Sequence, residues 1–249
     1  MSIVVEDYHK TYGDIVAVAG LSFRVGPGEI LGLVGPNGAG KTTTLRALAG
    51  ILRPTQGQLL IDGHDIVREP VAAKTALAYV PDDPALFDRL TVWEHFRFTA
   101  AAYRLADWQD RAERLLGRLE LVEKRDALAS ELSRGMRQKV AIGCGYLHRP
   151  RAVLLDEPLT GLDPRGIRTM KEFIREQAAE GAAVMVSSHL LSLFEDLCTT
   201  FLILRRGRLV RQGSLADLRG ELAANGRAET LEELFFRLTE APDQIHPVI

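Results

Sequence analysis

The sequence predicts an α/β fold with a mostly parallel sheet, an antiparallel β subdomain near the N-terminus and an inserted helical subdomain. The apolar run Ile30–Val34 leads directly into a glycine-rich loop and then into a stretch of helical spacing. Further β-rich runs appear at residues 152–155, 183–186 and 201–204, the first two separated by a helical stretch over 165–180. The intervening residues 84–150 carry helical spacing alone. Strands that alternate with helices are joined by crossovers and run parallel, and a block that breaks the alternation reads as an insertion.

Taken in order, residues 3–5 and 16–18 are β-rich, and Gly26-Pro27-Gly28 marks a turn. Residues 43–49 are helical, and Gly50 suits the left-handed position that ends a helix. Residues 58–62 read as a strand turning at Gly63. Residues 91–104 and 108–122 are helical. In the second, Trp108, Ala112, Leu115, Leu116, Leu119 and Val122 recur at helical spacing. A third helix covers about 135–147, and Arg206-Gly207 turns the chain into a last strand at 209–212. Residues 229–240 form a short amphipathic helix, in which Thr230 and Glu233 fit a capping box.

Composition is that of an ordinary globular chain, 46% hydrophobic and 26% charged with a net charge of −2. It shows no basic patch or tail of the kind nucleic-acid binders carry. Cys144 and Cys198 match no metal or redox spacing and read as buried free thiols. The first residues are acidic where a signal peptide is basic and then apolar. No segment approaches the ~18 consecutive apolar residues of a spanning helix. A cytoplasmic protein is expected, able to sit against a membrane without crossing it.

Chemistry concentrates in the loop Gly35-Pro36-Asn37-Gly38-Ala39-Gly40-Lys41-Thr42, which fits G-x-x-x-x-G-K-[ST]. Glycines let successive N–H groups turn inward on phosphate oxygens, and the helix that follows adds its positive end. Lys41 is placed to reach the β- and γ-phosphates, and the Thr42 hydroxyl to hold Mg²⁺, with Thr43 beside it. The buried strand before the loop and the helix after it are the context of a P-loop NTPase core. An Asn-Lys-x-Asp guanine motif is absent, since neither asparagine, Asn37 nor Asn225, precedes a lysine. ATP with Mg²⁺ is therefore the expected ligand. The apolar run at 152–155 ends in Asp156-Glu157, at the carboxyl edge where α/β sheets place ligands. Asp156 is positioned to hold Mg²⁺ and Glu157 to polarise an attacking water.

Around these lie Leu132-Ser133-Arg134-Gly135-Met136, Thr160-Gly161-Leu162-Asp163 and Ser187-Ser188-His189. In order and spacing the set resembles the nucleotide-binding subunit of ABC transporters over about residues 1–220. The resemblance implies two subunits that sandwich two ATP molecules, each between one phosphate loop and the partner's signature segment. It implies that Tyr12 stacks on adenine, and that Ser133 and Gly135 face the partner's γ-phosphate. It further implies that Asp163 links the two sites and that His189 acts as the switch histidine. The expected division is residues 1–83 and 151–220 as the ATP-binding core, 84–150 as the helical subdomain and 221–249 as a helical tail. The tail is similar to that of some exporter-type ATPases, so ATP-driven export through a separate membrane permease is expected, with the chain on the inner face of the cell membrane. A non-hydrolysing partner in a heterodimer and an ABC ATPase not involved in transport remain open at this point.

Two segments depart from the family. Arg134 and Met136 stand in a signature that usually reads Leu-Ser-Gly-Gly-Gln. Asp82, after Pro81, stands where a glutamine usually links Mg²⁺ and water to the membrane partner. A carboxylate keeps metal-binding capacity there but adds charge near the γ-phosphate.

Overall fold

The protein is described here by a computed structural model covering residues 2–224 together with Glu233 and Arg237. Strands β1 (Ile3–Tyr12) and β2 (Ile15–Val25) form a hairpin, and β3 (Ile30–Val34) follows. Helix α1 (Lys41–Leu48) leaves the glycine-rich loop, and Gly50 beyond it has φ +64°, as its helix-ending role requires. Next come β4 (Gln56–Ile61), β5 (His64–Asp65), α2 (Pro70–Thr75) and β6 (Leu77–Val80). The helical block contains α3 (Val92–Ala102), α4 (Gln109–Arg118) and α5 (Arg134–Leu147). The chain then alternates β7 (Ala152–Asp156), α6 (Pro164–Ala179) and β8 (Ala183–Ser188), and ends its described course with β9 (Thr200–Arg205), β10 (Arg208–Gly213) and α7 (Leu215–Ala224). Of the helix expected over residues 229–240, only Glu233 and Arg237 are described, both helical; the rest lies outside the described residues.

Two sheets result. One is antiparallel, ordered β2-β1-β4-β5. The other is ordered β10-β9-β3-β8-β7-β6, with every neighbouring pair parallel except β9–β10. The predicted α/β architecture is thus observed. Because the parallel sheet is covered on both faces, its strands read as unbroken apolar runs rather than as alternations. Ile30, Val34, Val153, Leu155, Val184 and Val186 point to the face packed by α3, α4, α5 and α6. Leu31, Leu33, Ala152, Leu154, Ala183 and Met185 point to the other, against α1 and the antiparallel sheet. Each such buried Val, Leu, Ile or Met side chain contributes about 1.5–3 kcal/mol.

No strand signal marks β6, which is four residues long and contains one alanine and one partly buried tyrosine. Residues 108–122 form a shorter helix than their periodicity suggested. It stops at Arg118, and the left-handed Glu120 (φ +57°) turns the chain before Val122.

Strand order positions the chemistry. β8 lies between β3 and β7, with Val34 opposite Ser188 and Asp156 opposite Ser187. The phosphate loop, the Ser187-Ser188-His189 segment and the Asp156-Glu157 pair therefore emerge side by side at the carboxyl edge.

Candidate nucleotide site

Glycine is sterically required at two points of the loop. A Cβ on Gly35 would lie 2.5 Å from the Leu204 carbonyl oxygen. Gly40, which precedes α1, has φ +100°, and a Cβ there would lie 2.9 Å from the Ala17 oxygen. The loop is tied down at both ends: the Gly35 N–H donates to Ser188 O at 3.3 Å, and the Gly207 N–H donates to Ala39 O at 3.1 Å. Lys41 is buried and folds back over the loop, donating to Gly35 O at 2.5 Å and Pro36 O at 3.3 Å. Burial lowers its pKa from the usual lysine range, while the charges of Glu157 and Asp156 act the other way. A cavity of about 420 Å³ opens over this loop, lined by Asn37, Gly38, Ala39, Gly40, Lys41, Thr42 and Thr43 with Asp82, Asp156 and Glu157. Ile15, Val16 and Ala17 of the hairpin complete it.

Asp156 ends β7 fully inside the protein, 2% exposed, where Ser187 Oγ donates to its Oδ1 at 2.5 Å. The next residue, Glu157, takes the left-handed conformation (φ +48°), uncommon for a glutamate, and its N–H donates to the same Ser187 oxygen at 3.1 Å. That turn sends its carboxylate toward β8, where Glu157 Oε1 lies 3.0 Å from His189 Nδ1.

Most of the other expected residues lie elsewhere. Ser133 precedes α5 and accepts the Met136 N–H at 3.3 Å, and Asp163 precedes α6 and accepts the Gly166 N–H at 2.8 Å. Ser133, Gly135 and Asp163 line a second cavity of about 360 Å³ with Lys139, Arg165 and Glu120. Tyr12 is 46% exposed, with Lys10 Nζ 4.8 Å above its ring, and does not line the cavity over the loop. Asp82 lines that cavity but is engaged from the side, since Arg134 donates to its Oδ1 at 2.8 Å.

Among the described residues no three His, Cys, Asp or Glu side chains gather as a metal site. Around the loop cavity the oxygens expected to hold a cation are the Thr42 hydroxyl and the Asp82 and Asp156 carboxylates, with Thr43 and Glu157 beside them. So sparse a set of hard oxygens fits Mg²⁺, which keeps waters and shares its remaining ligation with phosphate oxygens.

The family model described as ABC transporter matches residues 18–160, more than half of the chain. The chain belongs to the ABC transporter family. It is 34% identical over 238 residues to the ABC-type transporter ATP-binding protein EcsA of Bacillus subtilis, covering 95% of this chain and 96% of that one. It is 36% identical over 211 residues to the Nod factor export ATP-binding protein I of Paraburkholderia xenovorans, covering 84% and 69% respectively. Among solved structures, one titled as the ATP binding subunit of an ABC transporter superposes with a TM-score of 0.89 at 34% identity, covering 96% of this chain and 99% of that one. This chain is accordingly an ATP-binding subunit of the ABC type, and its α/β architecture is that of the family's ATP-binding cassettes.

Two contributions escaped the sequence reading. Ser187 was visible only as part of a segment ending in histidine, and its bond to Asp156 becomes apparent once the β7–β8 register is known. The pairing of Asp82 with Arg134 joins residues 52 apart and has no local signal.

Proposed function

We propose that this chain hydrolyses ATP to drive export through a separate transmembrane permease subunit, working as a dimer on the inner face of the cell membrane. The observation that carries this reading is the Glu157–His189 contact, 3.0 Å long, at the rim of a cavity built on the phosphate loop. Glu157 holds and polarises the attacking water, and His189 orients the carboxylate and approaches the γ-phosphate. Lys41 exchanges the Gly35 and Pro36 carbonyls for phosphate oxygens when nucleotide enters, a move that replaces neutral acceptors by charged ones. Asp156, held by Ser187, and Thr42 supply oxygens to Mg²⁺, as Asp82 does when its carboxylate is free. Bound there, Mg²⁺ neutralises charge on the phosphates.

The two cavities support a dimer. The phosphate loop opens into one, while Ser133, Gly135 and Asp163 line the other; in the proposed dimer a second chain brings its signature segment to each ATP. The partner is a homologous subunit or another copy of this one, with no nucleic acid involved. Residues 84–150 form a helical subdomain that passes the motion to the permease. The direction rests on the likeness to a relative named for Nod factor export. No helix among the described residues is long and apolar enough to cross a membrane, which is consistent with a peripheral subunit.

The test is Glu157→Gln. Expected are retained ATP binding, turnover lowered by about 10²–10⁴-fold and accumulation of a closed dimer. Turnover at the parent rate would remove Glu157 as the base.

A further inference from the structure

Two of the positions at which this chain departs from its family's pattern touch each other. Arg134, in the signature segment, donates from Nη2 to Asp82 Oδ1 at 2.8 Å, and both side chains are about half exposed, 51% and 48%. The stem of Arg134 crosses a third segment on the way. Gly161 has φ +78°, and a Cβ placed there would lie 3.4 Å from Arg134 Cδ. Next along the chain, a Cβ on Gly135 would lie 2.9 Å from Leu162 Cδ2, so the start of α5 is packed closely on the 161–162 turn. One guanidinium thus joins the wall of the nucleotide cavity to the first turn of α5.

Asp82 has two suitors. It lines the cavity over the phosphate loop, where a carboxylate oxygen is a natural ligand for a hard cation, and it accepts a charge-assisted bond from Arg134. A cation drawing Asp82 inward competes with the guanidinium for the same carboxylate. We propose that the Asp82–Arg134 pair is a tie within one chain that holds the first turn of α5 to the nucleotide cavity and is released when a cation-loaded nucleotide recruits Asp82. Arg134 is on this account a positioning residue. It sets how readily Asp82 serves the cation, and its release frees a positive side chain beside Ser133 and Gly135, in the segment that lines the second cavity. The proposal rests on the reading of the cavity as an ATP–Mg²⁺ site.

The test is a double-mutant cycle of Arg134→Gln and Asp82→Asn with two readouts. The first is binding of a fluorescent ATP analogue in Mg²⁺ and in EDTA. Arg134→Gln is expected to tighten binding about twofold to fivefold in Mg²⁺, the range of an exposed ion pair, and to give no tightening in EDTA. In the Asp82→Asn background the Mg²⁺-specific gain should vanish, and Arg134→Lys should restore wild-type behaviour. Equal changes with and without Mg²⁺, or a gain that survives Asp82→Asn, would overturn the proposal. The second readout is amide hydrogen exchange over the first turn of α5 in the nucleotide-free protein. Each single variant should speed exchange and the double variant no further, whereas additive effects would show that the tie does not form. A wild-type chain that binds no nucleotide defeats the functional reading instead, and the exchange cycle still decides whether the tie exists.

Discussion

Ser187 Oγ donates to Asp156 Oδ1 at 2.5 Å while accepting the Glu157 N–H at 3.1 Å, so one hydroxyl orients both acidic residues of the site. Asp156 is buried, and a buried carboxylate without its donor loses about 1–3 kcal/mol. Ser187→Ala should therefore destabilise the fold by about that amount and lower ATP turnover by about tenfold, the factor that ~1.4 kcal/mol represents in a rate. Ser187→Thr, which keeps the hydroxyl, should recover most of both. Denaturant unfolding and steady-state turnover check the pair of effects. Unchanged turnover in Ser187→Ala would mean that Asp156 and Glu157 are aligned by other contacts.

Lys41 is satisfied by the Gly35 and Pro36 carbonyls, at 2.5 and 3.3 Å, and is buried at the base of the cavity. Lys41→Ala removes a charge-assisted contact to phosphate worth about 1.5–3 kcal/mol, so nucleotide affinity should fall by about ten- to a hundredfold. Removal of a buried cation should leave the fold intact. Calorimetric titration with ATP, alongside an unfolding curve, separates the two. Affinity within twofold of the parent would show that Lys41 stays on the loop carbonyls when ATP binds.

Much of this architecture was legible in the sequence because its parallel strands are buried on both faces. Ile30–Val34, residues 152–155 and residues 183–186 are apolar throughout, and the glycine-rich loop that follows the first admits few backbone courses. Strands on the outside were less visible. β6 and β5 are short, and β1 and β2 run well beyond the β-rich triplets at residues 3–5 and 16–18 because hairpin pairing, not composition, extends them. Motif residues were readable one by one, but their grouping was not. That Ser133, Gly135 and Asp163 open into a different cavity from Lys41 and Glu157 depends on where α5 and α6 begin relative to the sheet. The Asp82–Arg134 pair was out of reach for the same reason: two exceptions to a pattern can be seen singly, and only the fold shows that they meet.

Thr91 begins the helical block with a reciprocal cap. Its Oγ1 accepts the Glu94 N–H at 3.1 Å, and Glu94 Oε2 accepts the Thr91 N–H at 2.9 Å. Thr91→Ala removes one half of this cap, so a loss of about 1 kcal/mol is expected, or about 2–4 °C in Tm for a chain of this size. Neither residue lines the cavity over the phosphate loop, so ATP affinity should not change. Thermal unfolding and ATP titration check the contrast. A parallel fall in affinity would show that α3 communicates with the nucleotide.

His148, at the end of α5, stacks on Tyr103 with ring centroids 3.9 Å apart and planes 12° from parallel. Burial pushes its pKa from 6.5 down to about 4, with the charge of Arg111 acting in the same direction against a backbone contact at Leu77. The folded chain therefore holds this ring neutral where the unfolded chain protonates it. Between those two values the unfolded state binds the extra proton, so stability rises with pH. The contribution is complete above pH 6.5 and is lost as pH falls through that value toward 4. It amounts to about 3 kcal/mol for a drop from 6.5 to about 4, at ~1.36 kcal/mol per pH unit. His148→Phe keeps an aromatic ring against Tyr103 and removes the proton. The stability difference between variant and parent should then shift in the variant's favour as pH falls from 7 to 4.5, by about 2 kcal/mol. Urea unfolding at several pH values measures it, and carboxylates that titrate in the same range cancel in the difference. A difference that stays constant with pH would mean that His148 becomes protonated in the fold as easily as outside it.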